Sequence, residues 1–537
     1  MALIDFASIS FQEGYPFSTL YNDRYFLESQ GLAESEYVYL LDKKIAELFN
    51  QEEHVTLAEI GFGVGLNFLA TAELWIKTTN PSQTLIYISC ERYPLSAADM
   101  KKSLTTWMNK IPFAKELLDA YQGLSPGLNT FVFIESKIIL ILLIGEALTE
   151  LRRCSFQADH WMLDGFSPSK NESAWEEPLL KEISRLTASK ATLATFTAAG
   201  FVRRGLKNLG WQMSRVKGFA QKRHRLIGTK IDKNEKYDQK NNQSILIAGS
   251  GISSVSFQYF RAFLNRHDLM IDTFVNKASN IPYVYSHPAF HSIFDAHTLL
   301  NLRAHLMSGH FYRQISKLTG IKCTTPPPIP FANDRKSRIL SKWAQEESFK
   351  NIIKQENGFF YFPLGFCFNG FEMIDFMKQQ SNKGMILLSS FLDFKNTIKN
   401  HQGLLMLGTS FLTNELLETP ITIPTLLRGQ MGARCSEKKI EWLFPTTERY
   451  DFQSQPRQYE YHQEPDTTFY YSDLVGFRST QPSHSPFIGF INSKTYISCY
   501  HGSRGFSTAL FAGLILSLKS LGLFSYDTQS EINHLFS

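Results

Sequence analysis

Five short apolar runs recur through the first part of the chain: VTLAEI (55–60), TLIYISC (84–90), KIILILLI (137–144), HWMLD (160–164) and ATLATFT (191–197). Each is followed by a longer mixed segment of helical character. Runs this short and this continuously apolar suit strands buried on both faces. The alternation predicts a parallel sheet with helices on either side. The most apolar stretch, Ile138 to Ile144, is far too short to cross a bilayer.

Residues 229–243, TKIDKNEKYDQKNNQ, hold one aliphatic residue, Ile231, among Lys, Asn and Gln. Such a stretch buries too little surface to fold alone. It predicts a first domain over 1–230, a linker over 231–243 and a second domain over 244–537. A chain of 537 residues has room for that division. Net charge is +5 and the pI is about 8.6, which permits a polyanionic partner without demanding one. The six cysteines show no CxxC and no metal spacing, so reduced thiols and a cytoplasmic setting are expected. The start, MALIDFASISFQEG, has an acid at Asp5 and no basic region, unlike a signal peptide. No heptad or apolar stripe asks for more than a monomer.

After the first run comes GFGVGLNF, with glycines at 61, 63 and 65, opening a helix near Leu66. Glycines at a strand's carboxyl end let the backbone approach a ligand. The spacing is not the dinucleotide GxGxxG. With Glu59 before it and Asn67 after, it is the usual first loop of S-adenosylmethionine (SAM) methyltransferases, or else a plain strand–helix turn. Glu91 ends the second run, suited to ribose hydroxyls, and Glu146 follows the third, suited to an adenine amino group. Either could equally be a surface acid. Asp164 is a fourth carboxyl-end group. It could accept a proton from an amine undergoing methylation, or cap the next helix. Phe166 and Trp175 could flank a base, and Lys170 could meet a phosphate.

Taken together, GFGVGLNF, ISCERYPL (88–95), LDGFSPSKNESAW (163–175), TLATFTAAGFVRRGLKNLGW (192–211) and VKGFAQKRHRLIG (216–228) resemble the methyltransferase half of the bifunctional tRNA 5-methylaminomethyl-2-thiouridine biosynthesis proteins. The resemblance implies a Rossmann-like α/β methyltransferase that uses SAM to methylate an aminomethyl group on a tRNA wobble uridine. Asp164 would be catalytic, and the anticodon stem-loop the partner. Arg203, Arg204, Lys207, Lys217, Lys222, Arg223 and Arg225 would then contact phosphates. Glu146 departs from the family's usual Asp.

In the same family the second half is an FAD-dependent oxidoreductase of α+β type, which removes a carboxymethyl group from the same nucleoside before methylation. SILIAGSGISS (244–254) offers Gly249 and Gly251 for the dinucleotide turn, with Ser254 in the third position. The next run, DLMIDTFV, should end on an acid for the ribose, but Asn276 follows it. Gly502, Ser503, Arg504 and Gly505 in HGSRGFSTALFAG match a late flavin-wrapping loop. Arg478 in LVGFRSTQPSHSPFIG would touch substrate or flavin. This part is also shorter than is usual for the family. Two readings follow: a working flavin oxidase, or a non-catalytic module that braces the first part or grips tRNA.

Overall fold

The computed structural model describes residues 3–27, 30–231, 243–272, 279, 281, 284–381, 385–408, 425–436, 439–450, 469–480, 486–492, 494–499, 501 and 504–527. In the first part, the alternation of apolar runs becomes one eight-stranded sheet. Its strands are β1 (His54–Ile60), β2 (Thr84–Glu91), β3 (Gly127–Phe133), β4 (Ile138–Ile144), β5 (Ala158–Leu163), β6 (Thr187–Thr195), β7 (Trp211–Lys217) and β8 (His224–Lys230). They lie in the order β7-β8-β6-β5-β1-β2-β4-β3.

The five expected runs supply β1, β2, β4, β5 and β6, all parallel. The other three strands pair antiparallel at the two edges. In β7, buried and exposed residues alternate at first, which suits a strand with one wet face. Every residue of β1, β3 and β4 is buried. Helices α1 (Leu66–Thr78), α2 (Ala147–Arg152) and α3 (Gly200–Asn208) follow β1, β4 and β6. Chain order reverses at β1, with β2 on one side and β5 on the other. Ligands of open α/β sheets bind in the crevice at such a reversal.

Ahead of this sheet, short strands Ile9–Gln12, Tyr15–Ser18 and Asp23–Arg24 form a small meander, followed by helical turns over 31–40. Aromatics and polar groups from both reach the carboxyl edge of the large sheet.

The second part contains strands β9 (Ile245–Ala248), β10 (Leu269–Asp272), β11 (Met385–Leu387), β12 (Leu404–Leu407), β13 (Phe487–Asn492) and β14 (Thr495–Cys499). Their order is β11-β10-β9-β12-β14-β13, parallel except for the β13–β14 pair. Helix α4 (Ile252–Phe263) joins β9 to β10, so β9-α4-β10 is a parallel crossover unit. A separate antiparallel sheet comprises 425–436, 439–450 and 469–480.

Three further helices matter below: α5 (Ala296–Thr319), α6 (Arg335–Ala344) and α7 (Gly505–Ser520). Gly513 of α7 faces α4 so closely that a Cβ there would lie 2.7 Å from the Ser256 carbonyl carbon. Buried along most of its length, α5 packs on β3, where Gln314 Nε2 donates to Val132 O and its Oε1 accepts from Ile134 N.

Near the end of the described chain, Ser525–Tyr526 pairs with Cys154–Ser155, and the Tyr526 hydroxyl donates to Glu150 Oε2 at 2.6 Å. A single apolar cluster therefore runs through Val132, Ile139, Phe257, Phe311 and Phe524. The two parts of the chain share a core. Most of the expected linker, 232–242, lies outside the described residues.

Candidate active site

The loop after β1 turns because three glycines adopt positive φ, at +91° (Gly61), +52° (Gly63) and +75° (Gly65). A Cβ on Gly61 would lie 2.6 Å from Asp164 O, so β1 and β5 approach to a distance that only glycine permits. Backbone bonds tie the strand ends together: Gly61 N to Cys90 O, Asp164 N to Ile60 O and Gly145 N to Glu91 O, each 2.9 Å. These ends frame a cavity of about 380 Å³, within the usual range for small-ligand sites. Gly61, Gly63, Asn67, Glu91, Glu146, Asp164 and Phe166 all line it.

At the floor, Asp164 Oδ1 accepts from the Tyr39 hydroxyl at 2.5 Å, and Oδ2 accepts from Asn67 Nδ2 at 2.7 Å. The same Asn67 amide donates to Glu59 Oε1 at 2.8 Å, and Ser89 Oγ donates to Glu59 Oε2 at 2.7 Å. Asp164 caps no helix. The helix after it, Glu177–Arg185, has Glu176 at its N-cap. Two hydrogen bonds favour an ionised carboxylate, but burial opposes it more strongly. Burial pushes Asp164 up to about 7 and Glu59 up to about 8. A carboxyl poised near neutrality can accept a proton and release it.

Several expected contacts are placed differently. Glu59 is 1% exposed, does not border the cavity and instead props Asn67. Glu146 does border it, but its carboxylate caps α2, accepting from Leu148 N and Thr149 N. Glu91 holds the glycine loop, accepting from Gly63 N at 2.8 Å and Tyr93 N at 3.0 Å. Lys170 is paired with Asp23 at 3.0 Å. Trp175 is 2% exposed and donates to Phe166 O while its ring packs edge-on against Phe196. It is core and flanks no base. Arg203 is half-buried on α3 and Arg204 exposed beside it; neither lines the cavity.

The N-terminal meander and turns supply a wall that the apolar pattern did not reveal. Tyr21 stacks on Phe166 with centroids 4.6 Å apart, and Tyr25 meets the same ring edge-on at 5.2 Å. Glu34 pairs with Lys222 at 2.9 Å on the cavity rim. The one sequence signal was the aromatic density of YNDRYF (21–26).

In the second part, Gly249 has φ +92° and Gly251 forms the N-cap of α4, at the point where β9 separates β10 from β12. The last described residue of β10 is Asp272, whose carboxylate accepts from Ser250 Oγ. Asn276, Gly502 and Ser503 lie outside the described residues. Arg504 caps α7, and burial lowers its guanidinium to about 10. Gly505 begins that helix, and Arg478 sits in strand 469–480 opposite Leu427.

Residues 109–231 match the S-adenosyl-L-methionine-dependent methyltransferase family. That match spans strands β3 to β8 of the first sheet. Over 221 residues the chain is 41% identical to the tRNA 5-methylaminomethyl-2-thiouridine biosynthesis bifunctional protein MnmC of Pseudomonas paraeruginosa, covering 41% of this chain and 34% of that one. It is 35% identical over 258 residues to the same-named protein of Methylobacillus flagellatus, covering 48% and 40%. The matched stretch thus spans about a third of the first of these relatives. A crystal structure of iminodiacetate oxidase from Chelativorans sp. BNC1 aligns with a TM-score of 0.42 at 15% identity, over 53% of this chain and 98% of that one. A likeness that low supports no conclusion.

The buried carboxyls have a thermodynamic signature. Between the ordinary value of 4.5 and about 8, native Glu59 holds a proton that the unfolded chain has lost. Stability from this group is full below pH 4.5 and is lost as pH rises through 8. Buried histidines such as His160 and His310 are shifted downward and act with the opposite sign, so a variant is the proper reference. Wild type should lose stability relative to Glu59→Gln as pH rises from 5 to 9 in urea denaturation. A pH-independent difference would show that Glu59 is ionised throughout.

Proposed function

We propose that this chain modifies the wobble uridine of tRNA. In this reading the methyltransferase domain methylates the nitrogen of a 5-aminomethyl-(2-thio)uridine. The second part first frees that nitrogen by FAD-dependent removal of the carboxymethyl group from 5-carboxymethylaminomethyl-(2-thio)uridine. The same reading makes the protein a cytoplasmic monomer acting on the anticodon stem-loop.

One observation carries the methyltransferase assignment: Asp164 closes the floor of the cavity that the Gly61–Gly63 turn and Glu91 enter from β1 and β2. SAM supplies an electrophilic methyl group there. The glycine turn offers it close backbone approach, and Glu91 is the carboxylate available to its ribose. An amine is nucleophilic only when deprotonated. Asp164, held by Tyr39 and Asn67, accepts the N–H hydrogen bond and then the proton. Phe166, stacked with Tyr21 and met edge-on by Tyr25, gives the base a flat apolar face.

The flavin assignment rests on the parallel order β11-β10-β9-β12-β14, with the Gly249–Gly251 turn and Asp272 at its reversal. FAD would bring the oxidising power. Gly249 and Gly251 would admit its pyrophosphate to the start of α4, Asp272 would take its ribose, and Arg504 and Gly505 would approach its ring. A second part that shares the core of the first can brace it while also being catalytic.

Asp164→Asn should lower methyl transfer to aminomethyl-uridine tRNA by about 10²-fold or more while SAM affinity stays within a few-fold. Wild-type kcat/KM should rise with pH to a plateau above about 7, the value to which burial moves Asp164. Wild-type turnover in the variant removes Asp164 from the chemistry. Independently, the purified protein should show flavin absorbance, or gain it on reconstitution with FAD. A protein that stays colourless under both conditions rejects the oxidase half alone.

A further inference from the structure

We propose that the exposed cationic face of α6 is a second contact surface for the RNA backbone, gripping the stem of the molecule whose modified nucleotide enters the methyltransferase cavity. This rests on the tRNA reading above. The argument begins with charge at the cavity. Three cations line it, Arg24, Arg92 and Lys222, and Lys222 is paired with Glu34. Lys170 just outside is engaged by Asp23. With Asp23, Glu34, Glu91, Glu146 and Asp164 lining it against those three cations, the cavity itself is a poor host for a run of phosphates. A polyanion must be held from its flanks.

One flank is the β7–β8 hairpin and α3, where Arg204, Lys217 and Arg223 are exposed. The other is α6. Its apolar side, Leu340 and Trp343, is buried among Phe290, Phe294 and Phe349. Its outer side exposes Arg335, Lys336, Arg338 and Lys342, with Arg335, Arg338 and Lys342 spaced i, i+3, i+7 along one stripe. The helix contains no acid. Asp334 before it is occupied as the N-cap, accepting from Ser337 N at 2.7 Å, and Glu347 beyond it pairs with Lys350.

The position of α6 is fixed relative to the cavity. Leu3 packs on the same aromatic cluster, and Ser348 Oγ donates to Ile4 O at 3.2 Å. The chain then runs to Ala7, whose N–H donates to Pro94 O at 2.9 Å, three residues beyond Glu91. The cluster under α6 is therefore tied through residues 3–7 to the loop after the carboxyl end of β2. The hairpin lies on the β8 side, and β8 is four strand spacings, roughly 19 Å, from β2. The two basic faces come one from each part of the chain, on α3 with the β7–β8 hairpin and on α6.

The test measures affinity of the full-length protein for a transcribed tRNA across a salt series. Arg335→Gln, Lys336→Gln and Arg338→Gln are combined in one variant, with melting temperature and SAM affinity as fold controls. Lys77→Gln with Lys181→Gln serves as a charge control on ion-paired surface positions. The slope of log K against log salt should shrink by about two to three for the α6 variant. Affinity should fall at least tenfold at low salt, and the control should stay near wild type. An unchanged slope overturns the proposal, as it would if this face docked an acidic protein or a second copy instead. Wild-type protein that shows no salt-dependent tRNA binding would overturn both this proposal and the tRNA reading beneath it.

Discussion

Everything at the carboxyl edge of the first sheet depends on holding two buried carboxyl groups close together. Glu59 and Asp164 share one amide, Asn67 Nδ2, and each has a further donor, Ser89 or Tyr39. Two ionised carboxylates in so apolar a place would repel each other and lack water. Burial resolves this by moving both proton affinities toward or above neutrality. The result is a deep carboxyl that stays mostly neutral and supports the amide, and a shallower one that changes charge near neutral pH. The glycine at 61 is required for the same reason, since any side chain there would strike Asp164 O and separate the strands.

The parts of this arrangement differ in how readable they were from the chain. Strands β1, β2, β4, β5 and β6 announced themselves because a strand buried on both faces must be apolar throughout. The carboxyl-end acids followed from where those runs stop. Their individual roles did not follow, because a run's end tells where a residue sits and not which way its side chain turns. Glu59 points into the protein and props Asn67; Glu146 turns onto its own helix; Lys170 finds Asp23. Trp175 looked like a stacking group because tryptophan serves both cores and ligands, and here the core claims it. The tyrosine wall was hidden for a different reason. Residues 9–40 form short strands and turns with little periodicity, and their partners lie more than a hundred residues away, as Tyr39 and Asp164 do. In the second part, the Asp272 carboxylate bonds Ser250 beside the Gly249–Gly251 turn, a tie between residues 22 apart that no local pattern shows.

The union of the two parts also has a physical basis. The composition break at 229–243 marks where the chain passes from one sheet to the next, yet it does not mark a gap in packing. Helix α5 covers β3, an edge strand whose residues are all buried, and Tyr526 returns to hydrogen-bond with Glu150. Two sheets with separate reversals are thereby held in one body.

The central claim is that one sheet edge assembles both the cofactor's acid and the amine's proton acceptor. A crystal structure of the protein soaked with S-adenosylhomocysteine tests it directly. The ligand should lie in the cavity with its ribose hydroxyls on Glu91, its chain against Gly61 and Gly63, and its sulfur facing the Asp164 carboxyl. A ligand bound elsewhere on the chain, or one whose sulfur is turned away from Asp164, would contradict the account.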